Sequence, residues 1–210
     1  MLDMENLISK LMWDEFKHIG DKCLQHPFLQ GISTGDLDVD KYINFIGQDA
    51  FFLDVFARVY AIGVFRSTDV YTRDLFHNLQ CGVFEELKLH KEVAEKYKIN
   101  LKLIKPLDAT NSYTEFLLSN SIKGTLGDLL AAITPCMRLY LFLGTELSKS
   151  LFQENQYSDW IKSYSSSEYI DLVNSVEGLL NKHSNNSNQE KQKYKRAMNL
   201  EYDFFDQVWN

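Results

Sequence analysis

An all-α, single-domain bundle of about seven to eight helices is the fold this sequence predicts. Three observations lead there. Apolar residues recur at the helical period of 3.6 along nearly the whole chain, and no segment shows the strict alternation of a half-buried strand. Glycine and proline, which punctuate loops, number only 10 and 3 among 210 residues. No fixed-period repeat or interdomain linker divides the chain, so residues 1–210 read as one domain, large enough to bury a continuous core without staples.

The first helix spans Glu5 to Leu24, where Leu7, Leu11, Phe16 and Ile19 share a face, and it stops before His26-Pro27 because a residue ahead of proline is pushed out of helical geometry. A short loop through Gly31, Gly35 and Asp36 follows. From Val39 to about Phe65 the stripe Tyr42, Phe45, Ile46, Asp49, Phe52, Leu53, Phe56 and Val59 marks a long core helix. Val70 to Tyr97 continues the pattern through Phe76, Leu79, Val83, Leu87 and Val93. The link between these two helices is so short that they must lie antiparallel. Residues 98–110, with Pro106, form the longest irregular connector, and Ser112 to Ile122 is a short helix closed by Gly124. A long apolar helix covers Thr125 to Phe152. A turn containing Trp160, a helix from Ser167 to Lys182, a polar loop from His183 to Asn188 and a last helix from Gln189 to Val208 complete the chain.

Composition excludes several function classes. Net charge is −7 with acids and bases interspersed, whereas nucleic-acid binders carry a basic patch that releases counterions. The nearest candidate, Lys191 to Arg196, is short, flanked by acids, and reads as a solvated helix start. No stretch reaches the roughly 18 uninterrupted apolar residues of a membrane span, and the amino terminus lacks a basic region followed by an apolar run. Cys23, Cys81 and Cys136 are odd in number and far apart, which supports neither a disulfide framework nor a structural zinc site. A soluble, unexported, cytoplasmic protein is expected. Metal is not expected either. Glu15-Phe16-Lys17-His18 is a single E-x-x-H, Asp74-Leu75-Phe76-His77 only approximates a second, and a helical di-iron site needs two such units with two further carboxylates. Glu86 and His90, four apart on one helix, read as a core or supporting pair.

Chemistry is signalled where polar residues interrupt apolar stripes. Pro135-Cys136 lies within the long apolar helix, where proline removes an amide donor, clashes with the carbonyl of Ala131 and kinks the rod, opening room beside a thiol. Helical spacing places Ala132, Cys136 and Tyr140 on one face. A buried, inert cysteine is the alternative. Asp49 shares a stripe with Phe45, Phe52 and Phe56, where a carboxylate needs a partner: an arginine such as Arg58 or Arg138, or a polar ligand. Glu201 is inward-facing among Ala197, Met198, Phe204, Phe205 and Val208, while Asp203 and Asp206 face solvent. Tyr113 and Tyr164 could add hydroxyls or simply pack as amphipathic rings.

With these residues in hand, the chain resembles the TenA family, the thiaminase II proteins, over nearly its whole length. His26-Pro27-Phe28 followed by Gly31 is similar to that family's H-P-F stretch, and Gln48-Asp49 with Leu53 to its Q-D-x-x-x-L helix. Glu86-Leu87-Lys88-Leu89-His90 resembles E-M-x-x-H, Ser112-Tyr113-Thr114 the S-Y-T segment, and Pro135-Cys136 the P-C pair. Trp160-Ile161-Lys162-Ser163-Tyr164 resembles W-I-x-x-Y, and Glu201-Tyr202-Asp203-Phe204-Phe205 the closing E-Y-x-F-W. Any one match is weak; seven in order are not.

The resemblance implies a haem-oxygenase-like bundle that binds no haem or other cofactor, commonly a homotetramer. It implies hydrolysis of 4-amino-5-aminomethyl-2-methylpyrimidine, and more weakly of thiamin, in thiamin salvage. Carried over by position, Cys136 is the nucleophile of the cysteine-bearing branch, Glu201 the acid/base that meets the ring, and Asp49 the carboxylate that holds the pyrimidine. Tyr113, Tyr164, Phe52, Tyr140 and Phe204 line or wall the substrate site. Phe52 stands where relatives often carry tyrosine and Phe205 where tryptophan is common, which bears on substrate preference more than on reaction type. A non-catalytic pyrimidine-binding or regulatory protein, and a metal-dependent oxidase of the same fold, are the alternatives.

Overall fold

A computed structural model describes residues 7–97, 100–150 and 153–210, and the regular structure among them is entirely helical. In chain order the helices are α1 (Ile8–Leu24), α2 (Pro27–Thr34), α3 (Val39–Arg66), α4 (Val70–Lys96), α5 (Asp108–Lys123), α6 (Leu126–Ser148), α7 (Ser158–Tyr164), α8 (Ser167–His183) and α9 (Asn188–Trp209). A single 3-10 turn at Leu101–Leu103 precedes α5. Nine α-helices among the described residues exceed the expected seven to eight because α2 and α7 are too short to show a period. Glu5 and Phe152, expected at helix ends, lie outside the described residues.

The supposed loop after His26 is α2, and its sequence explains why. The His26 ring nitrogen Nδ1 accepts the Phe28 amide at 3.2 Å as an N-cap, and Pro27 follows at the first helical position, where its missing N–H costs nothing. Gly35 ends the helix in the left-handed region at φ 82°, which a side chain would strain. Of the expected connector at 98–110, Lys98 and Ile99 lie outside the described residues and Asp108–Thr110 are instead the first turn of α5. Gln48 pins this junction, its buried carboxamide accepting from the Leu107 amide (2.8 Å) and the Thr110 hydroxyl (2.7 Å).

α3 and α4 form the antiparallel pair that the three-residue link requires. Opposite Gly63, a Cβ would come within 2.5 Å of the Phe76 ring, so glycine permits the close approach. α6 is the central rod, packed on α5, α7, α8, α9 and α1. A capping box of Thr125 and Asp128 starts it, and it runs through Pro135 to Ser148. By length and hydropathy α6 could cross a membrane, but 78% of its apolar window is buried inside the protein, as befits the core helix of a globular bundle. A second capping box, Ser187 with Glu190, gives the polar tract before α9 its purpose.

Candidate active site

α3, α4, α6, α7 and α8 enclose a cavity of about 680 Å³. Its walls are aromatic: Phe45, Phe52 and Phe56 from α3, Tyr140 from α6, Trp160 and Tyr164 from α7, and Tyr169 from α8. Inside stand Asp49, Glu86, His90 and Cys136, and the exposed Glu85, Glu92 and Asp159 are also part of the lining. His90 is the sole basic side chain among the described lining residues; there is no lysine or arginine. A flat aromatic ring bearing positive charge is the ligand such a chamber suits.

Cys136 reaches the cavity from α6, half-buried, with its thiol against the carboxyl of Glu201 on α9. Glu201 is itself only 2% exposed and sits one layer behind the thiol. Tyr113 of α5 donates its hydroxyl to Glu201 Oε1 at 2.7 Å. Burial is the main reason the Glu201 carboxyl is pushed up to about 7, opposed by the hydrogen bonds from Tyr113 and Cys136. Burial and the neighbouring Glu201 charge hold the Cys136 thiol well above its ordinary value. The site therefore sets a thiol beside a carboxyl that titrates near neutrality, a proton donor facing a proton acceptor.

Asp49 finds its partner neither in Arg58, which pairs with Asp54, nor in Arg138, which faces Glu177. His90 Nε2 meets Asp49 Oδ2 at 2.8 Å, and His90 Nδ1 lies 2.9 Å from the Glu86 carbonyl oxygen. Burial lowers the affinity of His90 for a proton, but the hydrogen bond and charge of Asp49 outweigh it and raise the imidazole to about 9. At neutral pH His90 is therefore an imidazolium hydrogen-bonded to Asp49. Glu86, read from sequence as a core or supporting residue, instead lines the cavity and accepts the Tyr164 hydroxyl at 3.1 Å. Burial first, then the Asp49 charge, push Glu86 up to about 7.

The other expected contacts divide in two. Phe52, Tyr140 and Tyr164 line the cavity, with the Tyr140 and Tyr164 rings edge-to-face at 4.8 Å. Tyr113 and Phe204 lie behind the wall: Tyr113 through Glu201, Phe204 edge-on to Phe45 and Phe52. Phe205 is buried against Phe28 and Phe45 rather than open to the cavity. Gly144 matters to Tyr164, since a Cβ there would come within 2.6 Å of the Tyr164 carbonyl carbon and push α7 away from α6. Among the described residues no group of three His, Cys, Asp or Glu side chains is placed to hold a metal ion.

Comparison with known proteins agrees with this architecture. The sequence profile of the TENA/THI-4/PQQC family matches residues 13–210. An aminopyrimidine aminohydrolase of Helicobacter pylori is 31% identical over 213 residues, covering 96% of this chain and 98% of that protein. One from Halalkalibacterium halodurans is 30% identical over 210 residues, covering 95% and 94%. A Shewanella denitrificans domain with a haem-oxygenase-like fold superposes with a TM-score of 0.75 at 13% identity, covering 93% of this chain and 89% of that one, which establishes the fold.

Proposed function

The chain belongs to the TENA/THI-4/PQQC family, and on that footing we propose that it is an aminopyrimidine aminohydrolase of the cysteine-bearing branch. Its substrate is 4-amino-5-aminomethyl-2-methylpyrimidine, and thiamin is a poorer one. The observation that carries this reading is the meeting of Cys136 and Glu201, 65 positions apart in sequence, at the wall of a cavity that also holds Asp49.

Amine is a weak leaving group, so direct attack by water at the aminomethyl carbon is slow, and a covalent adduct divides the barrier. Cys136 adds to the pyrimidine ring while its proton passes to Glu201 and on to a ring nitrogen. The adduct expels the amine. Water then captures the exocyclic methylene, the sulfur departs, and the aromatic hydroxymethylpyrimidine is released. Glu201 explains how so reluctant a thiol is used: proton transfer to the adjacent carboxylate as sulfur attacks removes any need for a resting thiolate. Asp49 orients the ring by accepting from its 4-amino group.

A homo-oligomer, a tetramer by resemblance, is part of the same proposal. Phe65 at 87% exposure, with Val70, Tyr71 and Ile122, forms an apolar surface near the α3–α4 turn that a second copy would cover. Three unpaired cysteines fit a reducing cytoplasm. The test is ammonia release from the aminomethylpyrimidine by the wild type, Cys136→Ser and Glu201→Ala. Loss of turnover in both variants with the fold retained is expected, and undiminished turnover in Cys136→Ser would sink the covalent route.

A further inference from the structure

We propose that Glu86 is a catalytic residue of this site, holding the substrate's aminomethyl nitrogen as an ammonium ion and taking a proton from the water that replaces it. The inference rests on the aminohydrolase reading and names a group which that reading leaves idle.

Three carboxylates surround the chemistry, Asp49 and Glu201 buried and Glu86 half-buried, and their partners differ. Glu201 is engaged by the Tyr113 hydroxyl and the Cys136 thiol. Asp49 is matched by His90 at 2.8 Å. Glu86 receives only the neutral Tyr164 hydroxyl; His90 directs its second nitrogen to the Glu86 backbone carbonyl, not to the carboxyl. Glu86 thus lines the cavity with no cation bonded to its carboxyl, whereas Asp49 has His90 and Glu201 stands behind the thiol. A neutral, polarised 4-amino group suits the compensated Asp49–His90 pair. An alkylammonium suits Glu86, where it supplies the missing charge.

The one cation in the surroundings of Glu86 is His90, whose charge opposes the upward shift of the carboxyl but whose hydrogen bond goes to Asp49. Facing Glu86 are Asp49 and Tyr60 of α3, His90 of its own helix, Cys136 of α6, Tyr164 of α7 and Tyr169 of α8. Only His90 is basic, and Asp49 engages it. Glu85, Glu92 and Asp159 lend further negative potential along the lining. A carboxyl that titrates near 7 in this setting is ionised by the arrival of a cation and is well placed to exchange protons with amine and water.

The step balances. In the Cys136 adduct the C–N bond breaks, its electron pair leaves on nitrogen as ammonia, and a ring-nitrogen electron pair closes the exocyclic C=C bond. Glu86, now without its cation, takes a proton from water as the oxygen bonds to the methylene carbon, and passes that proton to the departing ammonia. Net, an alkylammonium and water give an alcohol and ammonium.

The test measures binding in the Cys136→Ser background, where turnover is blocked, by calorimetry near neutral pH. The aminomethylpyrimidine is compared with its neutral hydroxymethyl counterpart, with and without Glu86→Gln. Glutamine keeps the acceptor for Tyr164, so the fold is preserved. A preference for the cationic ligand of about 10-fold to 100-fold is expected with Glu86, the range of one charge-assisted hydrogen bond, and it should collapse to within about threefold in the glutamine variant. In the otherwise wild-type enzyme, Glu86→Gln should lower kcat by about 100-fold or more and reduce the two ionisations near 7 in its pH profile, those of Glu86 and Glu201, to the single one of Glu201. Equal weakening of both ligands, or an unchanged pH profile, assigns Glu86 a structural role and overturns the proposal. Failure of the Glu86-containing protein to bind either pyrimidine overturns the aminohydrolase reading itself.

Discussion

Replacing Glu201 by glutamine should abolish activity and make the protein more stable, by an amount that pH controls. The folded-state carboxyl titrates near 7 and the ordinary value is 4.5, chiefly because burial penalises the charge. Between those values the folded chain binds more protons than the unfolded one, so stability falls as pH rises through the window and stays lowered above it. At about 1.36 kcal/mol per pKa unit, the charging cost is about 3 kcal/mol at mildly alkaline pH and about 1 kcal/mol near pH 5. Glutamine never pays it, and its carbonyl still accepts from Tyr113. For a domain of this size about 3 kcal/mol corresponds to a melting temperature higher by about 6–12 °C, shrinking to about 2–4 °C near pH 5. Circular dichroism melts of both proteins at equal concentration over pH 5 to 9 supply the comparison. A gap that does not widen with pH, or a glutamine variant less stable throughout, would refute the reasoning that burial of this carboxyl is what sets its proton affinity.

Other expectations follow from the same geometry. His90 should titrate near 9 by NMR and His26 below the ordinary histidine value, because Asp49 charges the first while burial neutralises the second. The His90–Asp49 pair then stabilises the fold below about pH 6.5, and that contribution disappears as pH rises through about 9; a His90 that titrates near 6.5 would contradict it. Cys136 in the ligand-free protein should react with iodoacetamide at least about tenfold more slowly than the exposed Cys81, measured by peptide mass spectrometry, since its thiol is held above the ordinary value. Gly144→Ala should cost about 1–3 kcal/mol and lower kcat/KM by about tenfold or more, because the added methyl displaces Tyr164 from Glu86. Lost stability with intact kcat/KM would show that the α6–α7 approach does not position the site.

The long helices were legible because each presents many turns of one apolar face: α3, α4, α6 and α9 fall within a few residues of their expected bounds. α2 and α7 span 8 and 7 residues, barely two turns, so their patterns are indistinguishable from loops with apolar anchors. The His26-Pro27 pair was a capping signal that could have revealed α2. Asp49 and Glu201 announced themselves as acids in aromatic stripes. Glu86 did not, since in sequence it follows the exposed Glu85 and stands two positions before the exposed Lys88, and only its place on the face of α4 that meets Tyr164 separates it from them. Partnerships across the bundle were equally hidden. Asp49 meets His90 41 positions on, and Tyr113 meets Glu201 88 positions on, distances at which one-dimensional periodicity carries no information.

The same burial that makes these acids useful makes charging them costly. Two carboxyls held near 7 are half-charged at neutral pH, each raised by desolvation and by the Asp49 charge. A packed apolar substitute would fold more stably, yet it could neither shuttle a proton nor recognise an ammonium group. A cationic pyrimidine relieves part of this cost on entry, because it supplies positive charge where His90 is already committed. Binding should therefore ionise Glu86 and release a proton, a release measurable by calorimetry in buffers of different ionisation enthalpy. Release that persists in Glu86→Gln would locate the proton elsewhere, on Glu201 or the ligand itself. Release lost with that one oxygen-to-nitrogen change would tie the ligand's charge to a single side chain of α4.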